Sequence, residues 1–339
     1  MLTYAIWNNK GGTGKTSLTF QAVCRYAQNN LDKRILTVDM CPQANISELL
    51  LGGLENNGSK NLLKRQGMTP RCSIGGYFDT RMPSAHQLPQ FDAGNYITNA
   101  HQHNKFIPKT IDLVCGDPLL EIQAIAMNSL ANIQIPGVNT WLTVIDWLRD
   151  FLGKIKNDYD VVFIDTNPSF SMYTQIALAA TDRIILPVMA DDSSRRAIQN
   201  AFSLIYGIKL PSPVYEKYTF ASKMKEADRQ LPKVHLILKN RLTQYMGPAS
   251  AYAAVLSGID SDLGNLLKSH NQYFTFDNVS NGVIDIRDFG TTGVAAFACG
   301  TPFGVMKTGK LKLGEHCIQV NSEYRDLAIK AVDVIVTKL

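Results

Sequence analysis

The sequence holds 339 residues, 45% hydrophobic and 19% charged, with a formal net charge of +5. That length suits about two domains or one large α/β domain, and the composition, which can bury a substantial core, excludes a disordered chain. Six scattered cysteines without a C-x-x-C pair exclude a disulfide framework and a zinc site, and they suit a reducing cytosol.

No apolar run approaches the ~18 residues of a membrane span, and nothing at the start reads as a signal peptide. Tyr4-Ala5-Ile6-Trp7 instead reads as a buried strand. Asn8-Asn9-Lys10-Gly11-Gly12-Thr13-Gly14-Lys15-Thr16-Ser17 follows, and a helix runs on from Leu18 through Tyr26 and Ala27. Strand, glycine loop and helix in that order form a phosphate cradle. Its glycines turn successive amide hydrogens inward, and the helix N-terminus adds partial positive charge at the same point. Gly11, Gly12, Thr13, Gly14, Lys15, Thr16 and Ser17 are the candidate nucleotide-binding residues. Lys15 reaches toward the β- and γ-phosphates, and the Thr16 hydroxyl completes a magnesium shell. The loop departs from strict G-x-x-x-x-G-K-[ST] by placing Asn9 where the first glycine belongs and by carrying a second lysine, Lys10.

Arg34 to Asp39 reads as a second buried strand ending on a carboxylate, followed by Met40-Cys41-Pro42-Gln43-Ala44-Asn45. From about 46 to 110, frequent glycine, proline and asparagine imply short helices joined by loops. His86, His101 and His103 lie there without acidic or cysteine companions at ligand spacing, so they read as loop residues. A strand over Ile111–Cys115 leads to Asp117-Pro118, a helix N-cap with a first-turn proline. Gly137 to Leu152 has apolar residues three and four apart, an amphipathic helix. Tyr159 to Asp165 is a clear strand ending on an acid, the form that holds magnesium through water, with Thr166-Asn167-Pro168-Ser169 after it.

Arg183–Val188 is another strand, and Asp191-Asp192-Ser193-Ser194 opens a helix reaching Tyr206. Arg195 and Arg196 stand at its start, where the dipole disfavours cations; either they serve an anion or they pair with Asp191 or Asp192. Between Lys209 and Arg241, eight basic residues face three acids. Such a stretch is either a polyanion contact or a solvated face, and over about 209–233 it reads as a helical insertion. Val234–Lys239 is the next strand, ending in Asn240-Arg241, and Ser322 to Leu339 is a closing helix with Tyr324, Leu327, Ala328, Ala331 and Ile335 on one face. Strands alternating with helices imply a doubly wound, mostly parallel sheet covered on both faces, with its ligand at the strands' carboxyl ends.

Lys10-Gly11-Gly12-Thr13-Gly14-Lys15-Thr16 resembles the deviant Walker A loop of the ParA/MinD family of P-loop ATPases. Asp39-Met40-Cys41-Pro42-Gln43-Ala44-Asn45 resembles that family's D-x-D-P-Q-x-N segment, Asp165-Thr166-Asn167-Pro168 its D-T-P-P, and Gly300-Thr301-Pro302-Phe303 its G-x-P-V entry into a last strand. The resemblance covers most of a single nucleotide-binding domain over 1–339, with insertions at about 46–110 and 209–233. It implies that Lys10 crosses a dimer interface to the partner's nucleotide and that Asn240, with Arg241 beside it, reads adenine; a strand-end turn residue is the other reading of Asn240. Lys10, Lys15 and Asp39 become the catalytic candidates, and Thr16, Asp39 and Asp165 the magnesium set.

Cys41 replaces the carboxylate with which the family orients the attacking water. A thiol cannot substitute directly near neutral pH, although Asp39, Gln43 or Asn45 offers a substitute. The resemblance implies an ATPase that dimerises on ATP, binds DNA non-specifically and positions a plasmid, chromosome region or other cargo through a ParB-like partner that stimulates hydrolysis in the cytoplasm. A nucleotide-gated binding module with little turnover is the alternative that Cys41 raises. An iron–sulfur reductase lacks paired cysteines, and an ATP-dependent synthetase lacks a legible second-substrate pocket. The chain is expected to lack an operator-binding domain ahead of the loop, and its closing helix reads as structural rather than membrane-binding.

Overall fold

The computed structural model describes residues 1–339 apart from 190, 211, 243–248 and 315. Eight strands form one sheet: β1 (Leu2–Ile6), β2 (Ile35–Met40), β3 (Ile97–Asn99), β4 (Ile111–Val114), β5 (Val161–Thr166), β6 (Arg183–Met189), β7 (Lys233–Leu242) and β8 (Val283–Arg287). Their order is β3-β4-β2-β5-β1-β6-β7-β8. β3 runs antiparallel to β4 at one edge, and the remaining pairs are parallel.

The central strands are unbroken apolar runs because both faces of the sheet are covered. Val162 and Ile164 of β5 point into one core, with Trp7, Tyr77, Phe151, Ile176 and Phe202. Val161 and Phe163 point into the other, with Leu18, Phe20, Val23 and Leu50 from the Lys15–Asn29 and Asn45–Leu50 helices. Since β1 lies between β5 and β6 while β2 lies beyond β5, the chain reverses its winding direction at β1. The loop after β1 therefore opens into the crevice where such sheets bind ligands.

Short helices at Asn45–Leu50, Gly58–Gln66 and Ile74–Arg81 occupy the segment expected to hold them, although the edge strand β3 there was not foreseen. A 3-10 turn at Pro213–Tyr218 and a helix at Phe220–Glu226 fill the expected helical insertion.

Four expectations are corrected. The helix read over 137–152 is two, Thr140–Ile145 and Trp147–Lys154, broken at Asp146, whose carboxylate takes Arg229 at 2.5 Å and Arg149 at 3.2 Å. Gly300-Thr301-Pro302-Phe303 does not enter a sheet strand. Gly300 (φ 56°) ends the Gly290–Cys299 helix in a left-handed turn, and a 3-10 turn at Phe303–Val305 leads to a separate antiparallel hairpin, β9 (Gly309–Leu313) with β10 (His316–Val320). The last strand of the main sheet is β8, upstream of it. The closing helix ends at Val336 and buries Ala328, Val332, Ile335 and Val336, with Tyr324 exposed. Among the described residues no helix is long and apolar enough to cross a membrane.

Candidate nucleotide site

The Lys15–Asn29 helix starts from Gly14, which holds φ 83° and gives the helix no side-chain cap, so its first amide hydrogens are left for an anion. Gly12 takes φ 73°. Lys15 is buried and folds back over the loop, donating from Nζ to the carbonyls of Asn8 at 3.2 Å and Lys10 at 3.0 Å. Burial pulls its pKa below the usual ammonium range against the opposing pull of Asp165. Neutral carbonyls are modest partners for an ammonium, and a phosphate forms the stronger, charge-assisted bond. Thr13 Oγ1 and Asn9 Oδ1 are buried beside them without hydrogen-bond partners. The unpartnered Thr13 hydroxyl, the uncapped amides and a cation resting on carbonyls together fit an anionic ligand.

β2 and β5 bring Asp39 and Asp165 into register, and both are wholly buried. Thr16 Oγ1 donates to Asp165 Oδ2 and Thr19 Oγ1 to Asp165 Oδ1, each at 2.9 Å. Asp39 accepts from Ser47 Oγ at 2.6 Å, Ser47 N at 3.1 Å and Cys41 N at 3.0 Å. Burial pushes the pKa of both carboxyls up, and for Asp39 the Asp165 charge adds to it. Two adjacent buried carboxylates beside a loop-end hydroxyl are the oxygen donors that a hard divalent cation favours. Thr19 and Ser47 escaped the sequence reading. Thr19 lies three residues after Thr16, on the same helix face, and that spacing was the available signal.

Cys41 is buried and donates from Sγ to Gln43 Oε1 at 2.8 Å. Burial, then the charges of Asp39 and Asp165, raise the pKa of the thiol, so it stays protonated. Among the described residues Asp39 Oδ1 accepts only the Cys41 amide, while Oδ2 takes both Ser47 N and Ser47 Oγ, so acceptor capacity remains on Oδ1. Gln43 and Asn45 are exposed at the rim. Across the cradle, Pro168 lies against Gly11. Asn167, standing where a proline was expected, pins its loop by donating to Tyr173 Oη at 2.6 Å and accepting from Ser169 Oγ at 2.9 Å.

A cavity of about 620 Å³ adjoins Gly14 and Ser17, walled by Asn240, Arg241, Asp288 and Phe289. Asn240 lines this cavity, its side chain held against the neighbouring loop. One Nδ2 hydrogen goes to the Thr13 carbonyl at 2.9 Å, which leaves the second hydrogen as a donor and Oδ1 as an acceptor. Asp288 and Phe289, on the segment after β8, were missed because the sequence reading placed no element between Leu242 and Cys299.

Lys10 Nζ donates to Asp191 Oδ2 at 2.6 Å and Ser193 Oγ at 2.5 Å within its own chain. Arg195 pairs with Asp262, at 2.8 Å, rather than with Asp191; the side chain of Asp192 lies outside those described. The basic stretch is partly consumed by the fold. Lys239 is buried between Asp260 and Asp285, Arg229 holds Asp146, and Lys223 lies over the Trp141 ring. Lys209, Lys217, Lys225 and Lys233 are exposed.

A family model described as an AAA domain matches residues 1–211. A virulence plasmid ParA family protein of Chlamydia psittaci is 24% identical over 59% of this chain and 61% of its own length. The chromosome-partitioning ATPase Soj of Thermus thermophilus is 28% identical over 55% of this chain and 54% of its own. The aligned region thus spans about three fifths or less of these two relatives. Among solved structures, the ATP complex of a Cyanothece McdA variant has a TM-score of 0.63 at 12% identity, covering 100% of this chain and 96% of that one. A plasmid partition protein of Borrelia burgdorferi bound to AMPPNP has a TM-score of 0.55 at 15% identity, covering 100% and 99%. With the cradle, the two strand-end carboxylates and the sheet order in place, the chain belongs to the ParA/MinD-type family of P-loop ATPases with a deviant Walker A loop.

Proposed function

We propose that the protein is a ParA-type positioning ATPase, in which two copies close on two ATP molecules and carry cargo over DNA, answering to a ParB-like partner in the cytoplasm. The observation that carries this reading is a second lysine, Lys10, at the mouth of a cradle that already holds a lysine of its own, Lys15. In this reading the loop amides and Lys15 bind the triphosphate, and Asn240 Oδ1 accepts from the adenine amino group. Thr16, Asp39 and Asp165 hold magnesium, which would supply charge neutralisation at the phosphates. Lys10 reaches the partner's nucleotide. Non-specific DNA contact rests on the exposed lysines of the 209–233 insertion.

Light scattering with and without magnesium and a non-hydrolysable ATP analogue tests the dimer. A doubled mass with the analogue is expected, and an unchanged monomer overturns the reading. The protonated Cys41 thiol favours a second reading, a nucleotide-gated module with little turnover of its own. In that case dimerisation persists while phosphate release stays near background.

A further inference from the structure

Lys10 is held at three points. Its amide donates to Asn8 Oδ1 at 3.0 Å, its carbonyl accepts from Lys15 Nζ at 3.0 Å, and its ammonium donates to Asp191 Oδ2 at 2.6 Å and Ser193 Oγ at 2.5 Å. The receiver is itself built. Asp191 is the N-cap of the Asp192–Tyr206 helix, and its Oδ1 accepts from Ser194 N at 2.9 Å, Ser194 Oγ at 3.0 Å and Ser193 Oγ at 2.8 Å. One carboxylate oxygen therefore caps the helix while the other takes the lysine. Partial burial works against ionisation here, yet donation by Lys10, Ser193 and Ser194 overcomes it and holds the carboxyl at about 2. The acceptor is charged at any physiological pH.

We propose that Asp191, with Ser193, is an intramolecular dock that keeps the Lys10 cation off its own cradle until a nucleotide loosens it. The loosening follows from Lys15. A phosphate in the cradle draws Lys15 Nζ away from the Lys10 carbonyl, because a charge-assisted bond outcompetes a neutral one. The Lys10 ammonium is then held by the Ser193 hydroxyl and a partly exposed ion pair, its side chain 25% and that of Asp191 46% accessible. Exposed pairs of this kind are weak, so a second polyphosphate brought within reach can win the lysine. Asp191 acts as a positioning residue through Lys10. The dock stands on this chain alone, whereas its release to a partner rests on the proposed dimer.

Asp191→Asn tests it, since asparagine still caps a helix but has lost the charge. Lys10 acetylation by an amine-reactive ester is followed by mass spectrometry in nucleotide-free protein, with exposed Lys60 as reference. A rise of about threefold or more in Lys10 labelling is expected, the size of effect an exposed ion pair allows. Equal labelling overturns the dock. The analogue concentration for half-maximal dimer formation should also fall about two- to fivefold in Asp191→Asn. An unchanged concentration in Asp191→Asn means that Asp191 does not restrain Lys10, and the proposal fails. Increased Lys10 labelling in a protein that never dimerises supports the dock and overturns the dimer reading instead.

Discussion

Asp39 and Asp165 stand opposite each other on adjacent strands, both fully enclosed, with no lysine or arginine paired to either by a salt bridge among the described residues. Their hydrogen bonds from Ser47, Cys41, Thr16 and Thr19 lower both pKa values, but burial outweighs them. A carboxyl whose folded pKa lies above its unfolded one stabilises the fold while protonated. That stability is present below about pH 4 and is lost as the pH rises through the raised folded values. The melting temperature of nucleotide- and magnesium-free protein should therefore decline from about pH 5 to about pH 8, and Asp39→Asn should flatten the decline. Magnesium with an ATP analogue should raise the melting temperature more at the upper end of that range, where the carboxylates are ionised. Matching wild-type and Asp39→Asn profiles with magnesium and the analogue present would remove Asp39 from the metal set.

Cys41 makes a sharper claim about turnover. Its thiol is kept protonated by burial and by two carboxylates, and its hydrogen already goes to Gln43. A group in that state cannot take a proton from water or orient it as an anion. Cys41→Asp should raise the single-turnover hydrolysis rate by about 100-fold or more, the scale of a positioned general base. The same substitution adds a third buried acid, so its melting temperature should drop without magnesium. Equal rates would mean that water is oriented by another group, and a Gln43→Ala variant with depressed turnover would identify it.

The candidate residues that the structure brings together are those where local chemistry and spacing coincide. Lys10 to Thr16, Asp39 and Asp165 each sit at the end of an apolar run, and a parallel sheet brings such ends to one edge. What escaped depends on contacts distant in sequence. Asp191 meets Lys10 across 181 positions, and Ser47 meets Asp39 only because the chain turns back after Cys41. The Ala249–Ser269 helix did leave a trace, with Ile259, Leu263, Leu266 and Leu267 at helical spacing and buried. β8 is five residues with a charged Asp285 in the middle, too short to stand out. The basic stretch misled because charge counts carry no burial. Lys239 was counted as surface, yet it lies inside an acidic pair.

Gly14 couples the cradle to the cavity beside it. A Cβ there would stand 2.3 Å from Asn240 Nδ2, and the backbone holds φ 83°. Gly14→Ala must therefore strain the loop by about 1–2 kcal/mol and also dislodge the Asn240 amide from the Thr13 carbonyl. Gly137→Ala is the matched control, because φ is 75° there with nothing within 4 Å of the added methyl. Both variants should lose a few degrees of melting temperature, Gly14→Ala the more because of its clash with Asn240. Only Gly14→Ala should weaken nucleotide binding, by about tenfold, the value of roughly one charge-assisted or buried hydrogen bond. Isothermal titration with an ATP analogue reads the difference, and equal affinities would place Asn240 outside the binding site.

Salt dependence separates the lysines that are free to meet a polyanion from those the fold has used. Lys217 and Lys225 are exposed on the insertion, whereas Lys239 has 6% side-chain exposure and is clamped by Asp260 at 3.0 Å and Asp285 at 3.2 Å. Each phosphate contact contributes about 0.9 to the slope of log affinity against log salt. With ATP analogue present, a Lys217→Ala/Lys225→Ala double variant should shallow that slope on random-sequence duplex DNA by about 1–2 units without moving the melting temperature. Lys239→Ala should leave the slope intact and cost about 1–2 kcal/mol of stability, less than a wholly buried pair because both acids retain water. Fluorescence anisotropy over a salt series decides between them. A slope unchanged in the double variant takes the insertion out of DNA contact, and a shallower slope in Lys239→Ala would require that lysine to leave its acidic clamp when the nucleotide binds.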